Sequence, residues 1–130
     1  MDDKVYRVMV VEDENLLLQA ITLKLSKMGI ETVSCTSGKQ ALDYLENMTE
    51  TVDAIWLDYY LKDLDGIEFM NKLKQIPAVA EVPVMVVSNS ASHDKISGVL
   101  GLGAAKYIIK AEHRIDEVVA TLEDLIKNTK

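Results

Sequence analysis

The sequence has few of the residues that mark secreted, membrane-spanning or disordered proteins. Among its 130 residues there are one cysteine, two prolines and six glycines. A single cysteine cannot form a disulfide within the chain, which favours a reducing compartment over secretion. The sequence also lacks the apolar stretch of a signal peptide and the roughly 18 continuous apolar residues of a membrane span. We therefore expect a cytoplasmic protein that has no membrane partner.

Basic residues are also in short supply. Lysine and arginine number 14 against 21 acidic residues, which gives a formal net charge of −7 at pH 7. This charge repels nucleic-acid phosphates, so direct binding of nucleic acid is not expected. The hydrophobic fraction of 48% is typical of a globular domain. Because no repeat or linker-like segment interrupts the chain, we expect a single domain over residues 1–130, with no output domain in this chain.

Short apolar runs alternate with segments of helical periodicity. The runs are continuous, as in strands that are covered on both faces, and span residues 6–11, 32–35, 54–57, 84–88 and 106–109. Gly29 is predicted to end the first helix, Ser37 and Asp65 to begin the second and third, and Pro77 to end the third; a fourth helix is predicted over 94–102. This alternation predicts an α/β fold, a doubly wound (βα)5 three-layer sandwich around a parallel five-stranded sheet.

Charged and hydroxyl side chains stand at the ends of these strands. Glu12 and Asp13 follow the first strand, Asp58 follows the third, Ser88 ends the fourth and Lys110 follows the fifth. Ligands of such sheets bind at the carboxyl ends of the strands. Three carboxylates brought together there would repel by roughly a few kcal/mol and need a counter-charge. Mg²⁺ suits such a site because it takes oxygen ligands and keeps positions open for water and phosphate.

The same residues can support phosphoryl transfer to a carboxylate. Aspartate is an accepted nucleophile for forming an acyl phosphate. The reaction depends mainly on positioning and on neutralising charge, for which Lys110 offers a cation and Ser88 a hydroxyl donor beside Asp58. The pattern therefore indicates Mg²⁺-dependent phosphorylation of an aspartate.

Four motifs carry a resemblance to a known family. They are Val10-Val11-Glu12-Asp13, Leu57-Asp58 with Leu61 and Asp65-Gly66, the run 84–88, and the run 103–110. In this order they resemble the receiver domain of two-component response regulators, including chemotaxis regulators, from about Val5 to Ile126. The resemblance implies a flavodoxin-like sheet with strand order 2-1-3-4-5. It also implies a signalling domain and not an enzyme, one that assists only its own phosphorylation and dephosphorylation.

The resemblance assigns the phosphoacceptor and the metal ligands. Asp58 would accept a phosphoryl group from the phosphohistidine of a sensor histidine kinase. The metal, Mg²⁺ or alternatively Mn²⁺, would be bound by Asp13, by Asp58 and by the backbone carbonyl of Tyr60, with Glu12 contacting it through a water molecule.

The resemblance also implies how phosphorylation changes the conformation of the domain. Ser88 and Lys110 would each contact a phosphoryl oxygen, and Tyr107 would be the aromatic switch that turns inward when Ser88 moves. The change would reach a downstream protein partner through the face formed by the fourth helix, fifth strand and fifth helix. A homodimer that forms on phosphorylation is a further outcome that the resemblance leaves open, as are the cognate kinase and the lifetime of the phosphorylated form.

Five positions depart from the family pattern or bear on its chemistry. Ala111 replaces the proline that usually follows the lysine, often with a cis bond, so we expect a trans bond and a rearranged loop. Lys62 also stands where proline is usual and is expected to change its loop. Asn89 stands where small residues are typical and is expected to crowd the phosphoryl pocket. Tyr60 and Ser90 hold positions that control water access in the family, and we expect the bulky Tyr60 to slow hydrolysis.

Other functions fit the sequence less well. A flavin-mononucleotide site would need a phosphate loop where Glu12 and Asp13 stand, and a haloacid-dehalogenase-type phosphatase would need an acidic residue at Tyr60. A nicotinamide enzyme would need a G-x-G-x-x-G motif after a strand. The alternative that stays open is a receiver-like interaction module that works without phosphorylation. Of the remaining notable side chains, Trp56 and Cys35 are predicted to be buried, and His93 and His113 to be exposed.

Overall fold

The computed structural model describes residues 4–90 and 92–129, which form strands that alternate with helices. The strands are β1 (Arg7–Val11), β2 (Glu31–Cys35), β3 (Ala54–Asp58), β4 (Val84–Ser88) and β5 (Lys106–Ile109). The helices are α1 (Asn15–Lys27), α2 (Gly38–Asn47), α3 (Gly66–Leu73), α4 (His93–Gly101) and α5 (Ile115–Thr129). All strand pairs are parallel, in the order β2-β1-β3-β4-β5. The predicted fold class and strand order are confirmed.

Two apolar cores, one on each face of the sheet, make the fold a three-layer sandwich. Met9 and Val11 of β1 pack with residues of α2, α3 and α4, whereas Val8 and Val10 pack with residues of α1 and α5. Because neighbouring residues of a strand point to opposite faces, a strand buried on both faces is apolar along most of its length. Phe69 and Leu122 are fully buried on opposite sides. Each such side chain contributes about 1.5–3 kcal/mol relative to exposure.

Most helix boundaries lie where the sequence predicts them. Gly29 follows α1 with a φ of 76°, a left-handed conformation that glycine adopts without steric cost. Asp65 and Glu68 close a complete capping box at the start of α3. At α2, the side chain of Ser37 accepts a hydrogen bond from the Gln40 N–H, but the Gln40 side chain bonds to Thr36 and not back to Ser37.

The predicted end of the third helix at Pro77 is wrong. The α3 helix ends at Leu73, and Pro77 instead begins a short 3₁₀ turn over Pro77–Val79. The backbone N–H groups of Gln75 and Ile76 bond to the carbonyls of Lys72 and Leu73, which tightens the chain into i→i+3 bonds before the proline is reached. This turn buries Ile76 in the core that lies on the α3 side of the sheet.

Charges at the amino-terminal edge of the sheet are paired. Asp53 is 4% exposed and accepts hydrogen bonds from the Arg7 N–H at 2.8 Å and from Lys4 Nζ at 3.0 Å. The Arg7 guanidinium forms ion pairs with Glu31 at 2.9 Å and Glu50 at 2.7 Å. The edge opposite to the carboxyl ends of the strands therefore holds its charged groups in balanced contacts.

The remaining burial predictions are also confirmed. Trp56 and Cys35 are buried, and His93 and His113 are exposed. Burial raises the pKa of the Cys35 thiol to about 11, so this thiol stays protonated and unreactive at neutral pH. None of the helices formed by residues 4–90 and 92–129 is both long and apolar enough to cross a membrane.

Candidate functional site

The strand register brings the polar residues together at the carboxyl edge of the sheet. Val11 pairs with Leu57, so Glu12 and Asp58 come next on two neighbouring strands. The Glu12 N–H extends the ladder by donating to the carbonyl of Cys35 at 3.0 Å. Asp58 is still within β3 and pairs with Val87. The sheet hydrogen bonds thus fix the backbone of both acidic residues, which is a more rigid support than a loop gives.

Three carboxylates form a cluster at this edge. A carboxylate oxygen of each of Glu12, Asp13 and Asp58 lies within 4.8 Å of the other two. Glu12 is 1% exposed and Asp58 is 7% exposed. Lys110 reaches the cluster from the end of β5, with Nζ 3.3 Å from Oε1 of Glu12 and 3.5 Å from Oδ1 of Asp58. The sequence prediction that these four residues converge is confirmed by their positions.

The electrostatics of the cluster favour a bound cation. Burial and the nearby Glu12 carboxylate raise the pKa of Asp58 to about 6, although the Lys110 ammonium acts in the opposite direction. A single lysine therefore does not compensate the charge of the three carboxylates. Carboxylate oxygens are hard ligands of the kind that Mg²⁺ binds. The donor set and its excess of negative charge fit a divalent cation held by Asp13 and Asp58.

The loop between β3 and α3 borders the cluster. The Tyr60 N–H donates to Oδ1 of Asp58 at 3.4 Å, which places the Tyr60 backbone at the site. Tyr60 is 48% exposed, and the Lys95 ammonium lies 5.0 Å from the centroid of its ring. Gly66 is required here for space, because a Cβ atom at that position would lie 2.6 Å from the ring of Tyr59. The end of the loop at Gly66 therefore packs closely against the buried ring of Tyr59.

Sequence reasoning missed one contact of this loop. The Lys62 N–H donates to Oδ2 of Asp13 at 3.1 Å. The sequence predicts only that Lys62 changes its loop, whereas this contact with the acidic cluster is made by the main chain of Lys62. The signal that could have revealed it is the absence of proline at this position, since proline has no N–H to donate.

The hydroxyl side of the site lies at the end of β4. Ser88 is 1% exposed, and its Oγ accepts a hydrogen bond from the Ser90 N–H at 3.1 Å. The hydroxyl of Tyr107, which is half-buried, donates to the Ser90 carbonyl at 2.7 Å. Ser88 and Tyr107 are thus connected through one residue. Asn89, the residue after Ser88, is exposed.

The segment after Lys110 has the predicted backbone. Residues 4–90 and 92–129 contain no cis peptide bond, so the bond between Lys110 and Ala111 is trans. The chain then forms a 3₁₀ turn over Lys110–Glu112 before α5 begins. The trans bond expected from the replacement of proline by Ala111 is confirmed, and the rearrangement of the loop relative to the family stays a prediction.

Comparison with known proteins agrees with this geometry. The family described as the response regulator receiver domain matches residues 8–123. The cell cycle response regulator CtrA of Brucella ovis is 29% identical over 125 residues, which cover 95% of this chain and 51% of the relative. The same values hold for CtrA of Brucella abortus. The chain therefore spans about half the length of the curated relatives it matches.

Solved structures share the fold along almost the entire chain. The receiver domain of the Francisella response regulator 1452 has a TM-score of 0.84 at 30% identity and covers 96% of this chain and 99% of its own. A CheY-like receiver domain protein from Methanospirillum hungatei has a TM-score of 0.85 at 21% identity, with 97% of each chain covered. The receiver domain of sensor histidine kinase PA1611 from Pseudomonas aeruginosa, whose structure has a magnesium ion coordinated in the active-site cleft, has a TM-score of 0.82 at 22% identity and covers 95% of this chain and 99% of its own. The chain belongs to the receiver domain family of two-component response regulators.

Proposed function

We propose that Asp58 accepts a phosphoryl group from the phosphohistidine of a sensor histidine kinase in a Mg²⁺-dependent reaction. The observation that carries this proposal is the convergence of Glu12, Asp13, Asp58 and Lys110 at the carboxyl edge of the sheet. In this proposal the chain acts in the cytoplasm as a single receiver domain. It is a signalling component that promotes only its own phosphorylation and dephosphorylation.

The proposed transfer is an in-line displacement at phosphorus. A carboxylate oxygen of Asp58 forms the new P–O bond while the P–N bond of phosphohistidine breaks and the nitrogen keeps the electron pair. Lys110, already 3.5 Å from Oδ1 of Asp58, neutralises one phosphoryl oxygen, and the Ser88 hydroxyl donates to another. Asp13, Asp58 and the Tyr60 carbonyl would hold the metal, with Glu12 contacting it through water. When bound, Mg²⁺, or Mn²⁺ in its place, supplies positive charge that offsets the repulsion between carboxylate and phosphoryl group.

The contact chain from Ser88 to Tyr107 supports a route from the site to the surface. If Ser88 turns toward a phosphoryl oxygen, the bond from the Ser90 N–H to its Oγ must change. The Ser90 carbonyl is the acceptor for the Tyr107 hydroxyl, so a movement of Ser90 would alter the hydrogen bond of Tyr107. We propose that the face formed by α4, β5 and α5 presents the result to a downstream protein partner, or to a second copy of the chain in a phosphorylation-dependent homodimer.

Phosphorylation by a small-molecule donor tests this function without the kinase. The protein is incubated with acetyl phosphate or phosphoramidate, with and without Mg²⁺, and its intact mass is measured. We expect one phosphoryl adduct that requires Mg²⁺, is absent in Asp58→Asn and persists in the control Asp124→Asn, which changes an exposed residue of α5. A wild-type protein that stays unmodified would favour the phosphorylation-independent interaction module.

A further inference from the structure

Two consecutive residues of the β3–α3 loop connect the acidic cluster to helix α2. The Lys62 N–H donates to Oδ2 of Asp13 at 3.1 Å. The carboxylate of Asp63 accepts hydrogen bonds from the N–H groups of Gly38 at 3.0 Å and Lys39 at 2.8 Å. Gly38 and Lys39 are the first residues of α2. One loop is therefore bonded on one side to a residue of the acidic cluster and on the other to a helix end.

The contact with α2 gives the loop a fixed position. Burial of the Asp63 carboxyl would raise its pKa, but the N–H groups of Lys39 and Gly38 lower the pKa below its ordinary value, which means that they stabilise the ionised form. Leu64 packs closely beside the same helix end, since a Cβ atom at Gly38 would lie 2.6 Å from Cδ1 of Leu64. A loop held by both contacts presents the Lys62 N–H in one place.

In this fixed position the Lys62 N–H restrains the carboxylate of Asp13. A carboxylate has two oxygens, and an N–H bonded to one of them restrains the rotation of the whole group while the other oxygen stays able to bind an ion. Asp13 is the member of the cluster that makes no ion pair with Lys110, whose Nζ contacts Glu12 and Asp58. The backbone donor therefore supports the carboxylate that the lysine does not reach.

We propose that the Lys62 amide is a positioning group for metal binding: it orients the Asp13 carboxylate, and Asp63 holds the amide in place against α2. This inference rests on the proposed binding of Mg²⁺ by Asp13. The lysine side chain is not needed for this role, since the donor is in the main chain. Groups that orient metal ligands in this way typically change metal affinity by about 10- to 100-fold when they are removed.

Two substitutions at one position separate the amide from the side chain. Lys62→Pro removes the N–H, and the matched control Lys62→Ala removes the charge but keeps the N–H. Mg²⁺ affinity is measured by the fluorescence of Trp56, the single tryptophan of the chain, and checked by the Mg²⁺ dependence of the melting temperature. We expect Lys62→Ala to bind within about two-fold of wild type and Lys62→Pro to bind about ten-fold more weakly.

Each outcome of this titration decides a different question. Equal Mg²⁺ affinity of the proline and alanine variants would overturn the positioning role and leave the proposed function intact. A wild-type protein that does not bind Mg²⁺ would overturn both. If Lys62→Pro does not fold, Asp63→Ala takes its place, with Asp124→Ala as the control, and weaker Mg²⁺ binding is expected only in Asp63→Ala.

Hydrogen exchange of the Lys62 amide in the wild-type protein gives a second test that needs no variant. A positioning bond survives metal binding, so the protection of this amide should stay equal or rise when Mg²⁺ is added. A loss of protection would show that the ion and the amide compete for Asp13, and the inference would be wrong.

Discussion

Lys110 and Glu12 are 98 positions apart in the sequence, yet Nζ of the lysine lies 3.3 Å from Oε1 of the glutamate. The sheet order brings them together, because β1 and β5 both end at the carboxyl edge, on either side of β3 and β4. Glu12 is almost completely buried, and this ion pair, together with a hydrogen bond from the Glu14 N–H to Oε2 at 3.0 Å, compensates for its lost hydration. The same lysine also serves Asp58, and the cluster keeps a surplus of negative charge.

This surplus predicts that Asp58→Asn stabilises the metal-free protein near neutral pH. The pKa of Asp58 is about 6 in the fold and near its ordinary 3.8 in the unfolded chain. The folded state therefore holds the proton more tightly, and the stability that this provides below about pH 4 is lost as the pH rises through 6. At pH 7.5 with a chelator, we expect the variant to exceed wild type by up to about 3 kcal/mol in the free energy of unfolding.

Urea unfolding at pH 7.5 and at pH 3.5 measures this effect. The difference between Asp58→Asn and wild type should shrink to near zero at the lower pH, where both carry a neutral group. The control Asp124→Asn should show little difference at either pH. A gain that is the same at both values would mean that charge is not its cause.

The second prediction concerns the hydroxyl of Tyr107. Tyr107→Phe removes the hydrogen bond to the Ser90 carbonyl, made at 2.7 Å, and should lower the free energy of unfolding by about 1 kcal/mol. Amide exchange in the β4–α4 loop should accelerate, because Ser90 loses its partner on β5. Phosphorylation of Asp58 by acetyl phosphate should continue, since the ring does not belong to the acidic cluster.

Binding of the downstream partner is the readout that separates a switch from a structural tyrosine. We expect Tyr107→Phe to reduce the difference in partner affinity between the phosphorylated and unphosphorylated forms. Tyr6→Phe, in a tyrosine near the opposite edge of the sheet, should leave that difference unchanged. Full retention of phosphorylation-dependent binding in Tyr107→Phe would remove Tyr107 from the proposed route.

The third prediction concerns the exposed side chain of Leu16 at the rim of the site. It is 77% exposed, is the second residue of α1 and follows Asp13 by three positions. A kinase that brings its phosphohistidine to Asp58 has to cover the rim of the site, and an exposed leucine there would be buried in the encounter. Leu16→Ser should slow phosphotransfer from the kinase by about ten-fold, the equivalent of roughly 1.4 kcal/mol, without changing phosphorylation by acetyl phosphate.

Comparing the two phosphodonors isolates docking from chemistry. Val5→Ser is the matched control, because Val5 is 55% exposed but precedes β1, at the amino-terminal edge. Equal losses with both donors would show that Leu16 affects the site itself, and no loss with either would show that the kinase does not cover it.

Much of the fold could be predicted because the three central strands, β1, β3 and β4, are buried almost throughout. Such burial makes a strand recognisable in the sequence as a continuous apolar run. All five predicted runs match their strands to within one residue at each end, and the runs of β4 and β5 match fully. The end of α3 could not be predicted from Pro77, because the chain leaves the helix through hydrogen bonds of the 3₁₀ type before the proline acts. Such bonds leave no signature in residue identity.

The contacts of the site also include some that the sequence predicts and some that it does not. Side chains at strand ends could be placed from topology alone, and Glu12, Asp58 and Lys110 meet as predicted. The Lys62 amide could not be foreseen, because every residue except proline carries that donor and only the course of the loop decides where it points. Asn89 is exposed, and its predicted effect on the phosphoryl pocket stays a prediction.

The ion pairs that Asp53 and Arg7 form with other residues bear on how the sequence of this protein can evolve or be engineered. Because they lie at the sheet edge away from the acidic cluster, they can be strengthened or weakened without touching the groups proposed to handle phosphate. The ion pairs at the amino-terminal edge and the acidic cluster at the carboxyl edge therefore share no residue. Selection or a protein engineer can adjust one end while the other keeps its chemistry.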